Sequence, residues 1–203
     1  MHRTSHPYRL QRATLRHAAV RYAAHGWDVV PGACLSGSRF VCGRPGCPTS
    51  GCHPAVEHFE GLASHDPALV ARWWRRRPYT VLLATGRSFD VIETPAYLGA
   101  AALDRLAGRD PSGPLAVTPA GRWMFLVRPG QPLRPELAAR GDLVRHGTDS
   151  WIPAPPSAQP EGRVRWEVAP TLVRWRLPDP YDVQEVLVAA LRRYAPRLLA
   201  HLY

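Results

Sequence analysis

A mixed α/β (α+β) domain is the fold this sequence predicts, and three observations carry the prediction. Apolar residues recur at helical spacing near both ends of the chain. The middle instead breaks into short apolar runs punctuated by Gly and Pro, as strands do. At 203 residues and 45% apolar content the chain can bury a substantial core. Length allows one large domain or two small ones. The strand-rich middle between flanking helices argues for one, spanning 1–203.

Residues 9–25 read as an amphipathic helix with Leu15, Ala18, Ala19 and Tyr22 on one face, stopped by Gly26. WDVVP (27–31) alternates like a short strand. Residues 32–61, rich in Gly, Pro, Ser and Cys, are too long for an ordinary loop and need an internal tether. Asp66-Pro67 is a helix start, and DPALVARWWRRR should run helical to Pro78 with Leu69, Val70, Trp73 and Trp74 on one face. VLLATG and FDVIET read as two strands of a hairpin turning at Gly86 to Ser88. Residues 96–107 read as a helix, and DPSGP as a turn. LAVTP and RWMFLV form a hairpin about Pro119-Ala120-Gly121. DLVRHG, SWIPAPPS and VRWEVAP follow. A last helix over about 180–202 presents Val183, Val186, Leu187, Ala190, Leu191 and Tyr194.

The net charge is +10, and all 26 basic residues are arginine. An arginine-only chain rich in Ala, Gly and Pro reflects a GC-rich coding bias, yet such charge still attracts polyanions. The charge leaves two readings, a nucleotide or single-stranded nucleic-acid partner and a merely solvated basic surface. No apolar run approaches the roughly 20 residues of a membrane span. The basic N-terminus MHRTSHPYRLQR has no apolar signal core behind it. A cytoplasmic protein without a membrane partner is expected.

All four cysteines fall in one window, Cys34-x7-Cys42-x4-Cys47-x4-Cys52, with His53 adjoining. In a reducing compartment such a cluster binds metal more often than it forms disulfides. Thiolate and imidazole suit tetrahedral Zn²⁺, and four protein ligands would make the site structural. Five candidates compete for four places. Cys42, Cys47 and His53 are the firmest, with Cys34 or Cys52 completing the set.

Several strings in order carry a family resemblance: GWDVVP, GCHP, DPALVARWW, LLATG, an acidic strand, TPAGR, and APPS followed by GRVRW. Together, over about residues 15–178, they resemble the N-terminal primase–polymerase domain of bifunctional DNA primase/polymerases. The cysteine-rich insertion ahead of GCHP is similar to that of actinobacterial members. The resemblance implies a sheet like that of an RNA-recognition motif with flanking helices and a zinc-binding loop. It also implies two-metal nucleotidyl transfer on Mg²⁺ or Mn²⁺ held by converging carboxylates.

The sequence departs from that pattern. The family's first metal motif is D-x-D, whereas FDVIETP places Pro95 where the second acid belongs if Glu93 is the first. Asp90 is the other candidate, but acids three apart on an extended strand face opposite ways. The family's GGRH stands here as AGRW, with Trp123 in the histidine's place. A third acid is offered by Asp142, one residue out of register, and Asp149 lies beyond it. Arg122, Arg145, His146 and Ser157 remain as a nucleotide-binding set, with surface arginines as the plain alternative. Trp123, Trp151, Trp166 and Trp175 are either base-stacking or core residues.

The first expectation is a stand-alone, catalytically degenerate primase–polymerase-like domain, a pseudoenzyme binding nucleotide or nucleic acid in a regulatory or replication-linked role. The second is an active metal-dependent primase/polymerase using Glu93 with Asp142 or Asp90. The third is a zinc-stabilised interaction module docking a protein partner, or a second copy, through the C-terminal helix. The chain has no GxxxxGK[ST] motor motif.

Overall fold

A computed structural model of the chain describes residues 5–106 and 112–199, with side chains over 8–106 and 112–193. In chain order the elements are α1 (Ser5–Ala24), β1 (Val29–Gly32), β2 (Cys34–Ser36), β3 (Arg39–Val41), α2 (Phe59–Leu62) and α3 (Pro67–Trp73). Then come β4 (Thr80–Ala84), β5 (Asp90–Pro95), α4 (Ala96–Leu106), β6 (Leu115–Val117), β7 (Arg122–Val127) and α5 (Pro135–Ala138). The last are β8 (Val144–His146), β9 (Trp151–Pro153), β10 (Ala158–Gln159), β11 (Gly162–Arg163), β12 (Arg165–Val168) and α6 (Pro180–Leu199). The mixed helix-and-sheet class expected from the sequence is the class observed. The chain divides into two compact units, one of residues 1–88 with 148–165 and one of 89–147 with 166–203.

In the first unit β4 lies between β1 and β9, antiparallel to both. All five β4 residues are buried, which suits a central strand read as a continuous apolar run. Helix α1 buries Leu15, Ala19 and Tyr22 as its spacing predicts. It ends in a Schellman motif. Gly26 at φ +79° donates to Ala23 O at 2.9 Å, and Trp27 N–H reaches Tyr22 O at 3.2 Å. The Trp27 ring stacks on Tyr22 with centroids 5.8 Å apart, the apolar contact that accompanies this motif. Helix α3 starts at the expected cap, where Asp66 accepts from Ala68 N–H at 2.8 Å. It stops at Trp73, and Trp74–Arg76 form a turn rather than more helix. The cysteine-rich segment contains the β2–β3 hairpin and the short α2, neither of which local pattern announced.

In the second unit five strands run in the order β12-β6-β7-β5-β8. The β6–β7 hairpin is the expected one, closed by Gly121 at φ +76° and by Gly121 N–H to Thr118 O at 3.0 Å. Helices α4 and α6 bury Leu98, Ala102, Val183 and Leu187 against Ile92, Phe125 and Val127. Gly99 is required there. A Cβ on it would lie 2.5 Å from Cγ of Trp123, so α4 reaches the sheet only through a residue without a side chain. Trp123 packs on this core, and Trp151 packs on the core of the first unit beside Leu82. Tyr194, the end of the last helix past 199 and part of the DPSGP turn fall outside the described residues or their side chains.

One expectation is corrected. VLLATG and FDVIET are not a hairpin: β4 pairs with β1 and β9, whereas β5 pairs with β7 and β8. Both strands are interior to their sheets, so each already has two partners. The ATGRS segment carries the chain from one unit to the other instead of reversing it.

Candidate functional site

The cysteine-rich segment assembles one compact donor set. Cys42 Sγ, Cys47 Sγ and one nitrogen of His53 lie within 4.8 Å of one another. His53 Nδ1 sits 2.7 Å from Gly51 O, which selects the tautomer that donates there. That leaves the Nε2 lone pair facing Cys47 Sγ at 3.5 Å. A backbone carbonyl fixing the far nitrogen is how metal-ligating histidines are usually held. Zn–S of about 2.3 Å and Zn–N of about 2.0–2.1 Å in a tetrahedron place sulfur and nitrogen about 3.5 Å apart, as here. These residues therefore fit a metal and could hold one.

Burial opposes ionisation of Cys42. Contact with the His53 imidazole, and hydrogen bonds from the backbone and side chain of Arg44, outweigh it and draw the thiol down to about 6. Arg44 N–H reaches Cys42 Sγ at 3.4 Å and its guanidinium reaches Cys47 Sγ at 3.7 Å. Arg44 has no place among the expected ligands, and its position between Cys42 and Cys47 is the one local signal of this role. Cys34 and Cys52 lie outside that cluster. Burial pushes Cys52 up to about 12, and it raises Cys34 against the opposing charge of Arg77. Cys34 lies on β2 opposite Val41, and Cys52 packs against the cluster of Ala33, Phe40 and Cys42.

The second cluster lies on three adjacent strands. Glu93 on β5 faces Met124 of β7 and Val144 of β8, and Arg122 and His146 stand two residues along on either side. Equal parity puts all three side chains on one face of the sheet. Arg122 Nε donates to Glu93 Oε1 at 2.6 Å, and His146 Nε2 lies 2.9 Å from Oε2. Burial raises the Glu93 carboxyl, but these two partners outweigh it and hold it below the usual glutamate range. Arg122 Nη2 also donates to the main-chain oxygen of Asp142 at 2.8 Å.

Asp90 leaves β5 on the opposite face. Its side chain is 2% exposed, and Oδ2 accepts from Arg145 Nη2 at 2.7 Å and from Gly130 N–H at 2.9 Å. Arg145 Nε and Asp90 Oδ1 are buried without another partner, the remaining halves of a two-pronged pair. The guanidinium lies so close to Gly147 that a Cβ there would come within 3.0 Å of it. Asp142 is held by both donors of Arg140, at 2.9 Å each, and by the Tyr97 hydroxyl at 3.0 Å. Arg140 leads in lowering its pKa. Nothing local marks Tyr97 or Gly130, which reach their acids across 45 and 40 positions, whereas Arg140 stands only two residues before Asp142.

The three candidate acids therefore do not fit a shared two-metal site: two point to opposite faces of β5, and every one has a cationic partner. Arg122, His146 and Glu93 are brought together; Arg145 goes with Asp90. Ser157 belongs to the first unit and is fully buried, its Oγ 2.9 Å from Val81 N and 3.3 Å from Val81 O. It stitches the APPS loop to β4 and does not present its hydroxyl to a ligand, a correction to the expected nucleotide-binding set. Asp149, also in the first unit, occupies a turn at φ +58°.

The family model "Bifunctional DNA primase/polymerase, N-terminal" (Prim-Pol) matches residues 19–181. The chain belongs to this family. A search of curated proteins finds no match. Membership in Prim-Pol assigns a primase/polymerase-like function in general, with a general tie to nucleotides or nucleic acid and to metal. No helix among the described residues is long and apolar enough to cross a membrane.

Proposed function

We propose that this Prim-Pol chain is a catalytically degenerate primase–polymerase-like protein that binds nucleotide or nucleic acid in a regulatory or replication-linked role. One observation carries the reading. Asp90 and Glu93, the acids nearest the family's first metal motif, are consumed as counter-ions of Arg145 and Arg122 on opposite faces of one strand. A divalent metal would have to displace a guanidinium from each and then bridge two faces of a sheet. The match over 19–181 takes in residues of both units, which supports treating 1–203 as one functional domain. Zinc at Cys42, Cys47 and His53, with a fourth ligand from outside this trio completing the tetrahedron, is proposed as a structural tether of residues 32–61, since thiolate and imidazole donors favour it.

The arrangement of Glu93, Arg122 and His146 on one face favours a second reading, an active enzyme with a rearranged site. Primer synthesis and extension with Mg²⁺ or Mn²⁺ separate the two. The degenerate reading expects no product above background. Robust synthesis that disappears in Glu93→Ala would overturn it.

A further inference from the structure

The arginines of the two units differ in what they are paired with. In the second unit Arg122, Arg128, Arg134, Arg140 and Arg145 each bond an acid. That unit has twelve arginines against ten acids, a balance of +2; the first has fourteen against six, or +8. Most of the chain's excess charge therefore belongs to the first unit. Within it, residues 5–24 and 67–79 contain no acid at all.

The charge is focused where α3 ends. A cavity of about 440 Å³ opens there, lined by Arg72, Arg75, Arg76, Leu69, Trp73 and Tyr79 among others, with no acid in its wall. The three arginines are exposed, and among the described residues no carboxylate pairs with them. Arg75 N–H bonds Arg72 O at 3.2 Å, a tight i to i+3 turn that brings the two arginines to one side.

Carbonyls at a helix C-terminus would ordinarily repel an anion. Here α1 covers them: Arg12 Nη1 donates to Arg75 O at 3.1 Å and Arg16 Nε to Ala71 O at 3.2 Å. The aromatic walls are braced from behind. Trp74 is fully buried, donates Nε1–H to Tyr79 O at 2.8 Å, and meets the Trp73 and Tyr79 rings at 6.5 and 6.1 Å. Trp73 and Tyr79 stay half-exposed, with ring surface toward the cavity.

We infer that this arginine-and-aromatic cavity at the end of α3 is a binding site for single-stranded nucleic acid. Unpaired guanidinium groups take successive phosphates, and held aromatic faces stack bases without regard to sequence. A free nucleotide would need one phosphate nest, whereas three unpaired arginines with Arg12 and Arg16 beside them suit a backbone passing through. The inference rests on the nucleic-acid binding of the proposed function and gives it a place in the fold. It concerns other residues in the other unit and is untouched if primer synthesis is found.

The test is fluorescence anisotropy of a labelled 20-nucleotide oligodeoxythymidylate with the full chain over a range of NaCl. Arg75→Ala/Arg76→Ala should weaken binding about tenfold and reduce the salt slope by roughly 1.4, at about 0.7 per phosphate contact. Trp73→Ala should weaken it about 5- to 100-fold through lost stacking, while Trp73→Phe retains most affinity. Arg193→Ala, an exposed arginine on α6, should change it less than about twofold. Thermal melts identify any variant that has unfolded, and the exposed arginine pair then decides. Equal weakening per arginine removed, in Arg193→Ala and in the Arg75/Arg76 change, would overturn the inference. So would inorganic polyphosphate competing as well as the oligonucleotide, for either result leaves only the diffuse field of a basic protein.

Discussion

Removing Arg145 distinguishes a structural counter-ion from a phosphate-gripping residue. Asp90 is 2% exposed and Arg145 is 30% exposed, so the pair is asymmetric. Arg145→Met leaves a carboxylate buried with only Gly130 N–H as a donor. Stranding one partner of a fully buried pair costs about 3–5 kcal/mol. The exposure of Arg145 and the surviving backbone donor reduce this to about 2–3 kcal/mol. Asp90→Asn is milder, because the amide oxygen still accepts from Gly130 and the arginine can hydrate at its exposed edge. About 1 kcal/mol is expected. For a chain of this length each kcal/mol moves Tm by roughly 2–4 °C, so Arg145→Met should lower Tm by about 4–12 °C. Asp90→Asn should lower it by about 2–4 °C. Calorimetry at pH 7 measures both. A Tm unchanged in Arg145→Met, together with lost nucleotide binding, would refute the counter-ion assignment and restore Arg145 to a phosphate site.

Two more outcomes follow from the clusters. Purified protein should carry about one Zn²⁺ per chain, and Cys47→Ser should remove it and loosen residues 32–61 to proteolysis; folded protein with no metal by elemental analysis would end the zinc assignment. Glu93 has its folded pKa depressed, so its stabilisation is complete above the ordinary value of about 4.3 and is lost as pH falls through the lower folded value. The stability gap between wild type and Glu93→Gln in urea should therefore shrink as pH falls below about 4. A gap that widens in acid would show the sign to be wrong.

Short-range physics accounts for what the sequence by itself determined. The Asp66 cap, the Gly26 stop, the Pro119-Ala120-Gly121 turn and the apolar faces of α1 and α6 all involve residues a few positions apart. They are legible because a turn or cap is decided by local dihedrals and one or two hydrogen bonds. Cys42, Cys47 and His53 were legible for a related reason, since their spacing within one loop limits how far apart they can fold. The opposite facing of Asp90 and Glu93 followed from the two-residue period of a strand.

Tertiary structure decided the rest. Arg122 meets Glu93 across 29 positions and Arg145 meets Asp90 across 55, through strand registers that no local pattern encodes. The same long-range pairing separated β4 from β5 and tied Ser157 to Val81. It also settled which of 26 chemically identical arginines are neutralised and which, at the end of α3, are left with their charge unopposed. Composition fixes the total charge, but a guanidinium is free or occupied only according to which carboxylates the folded chain brings within about 4 Å of it.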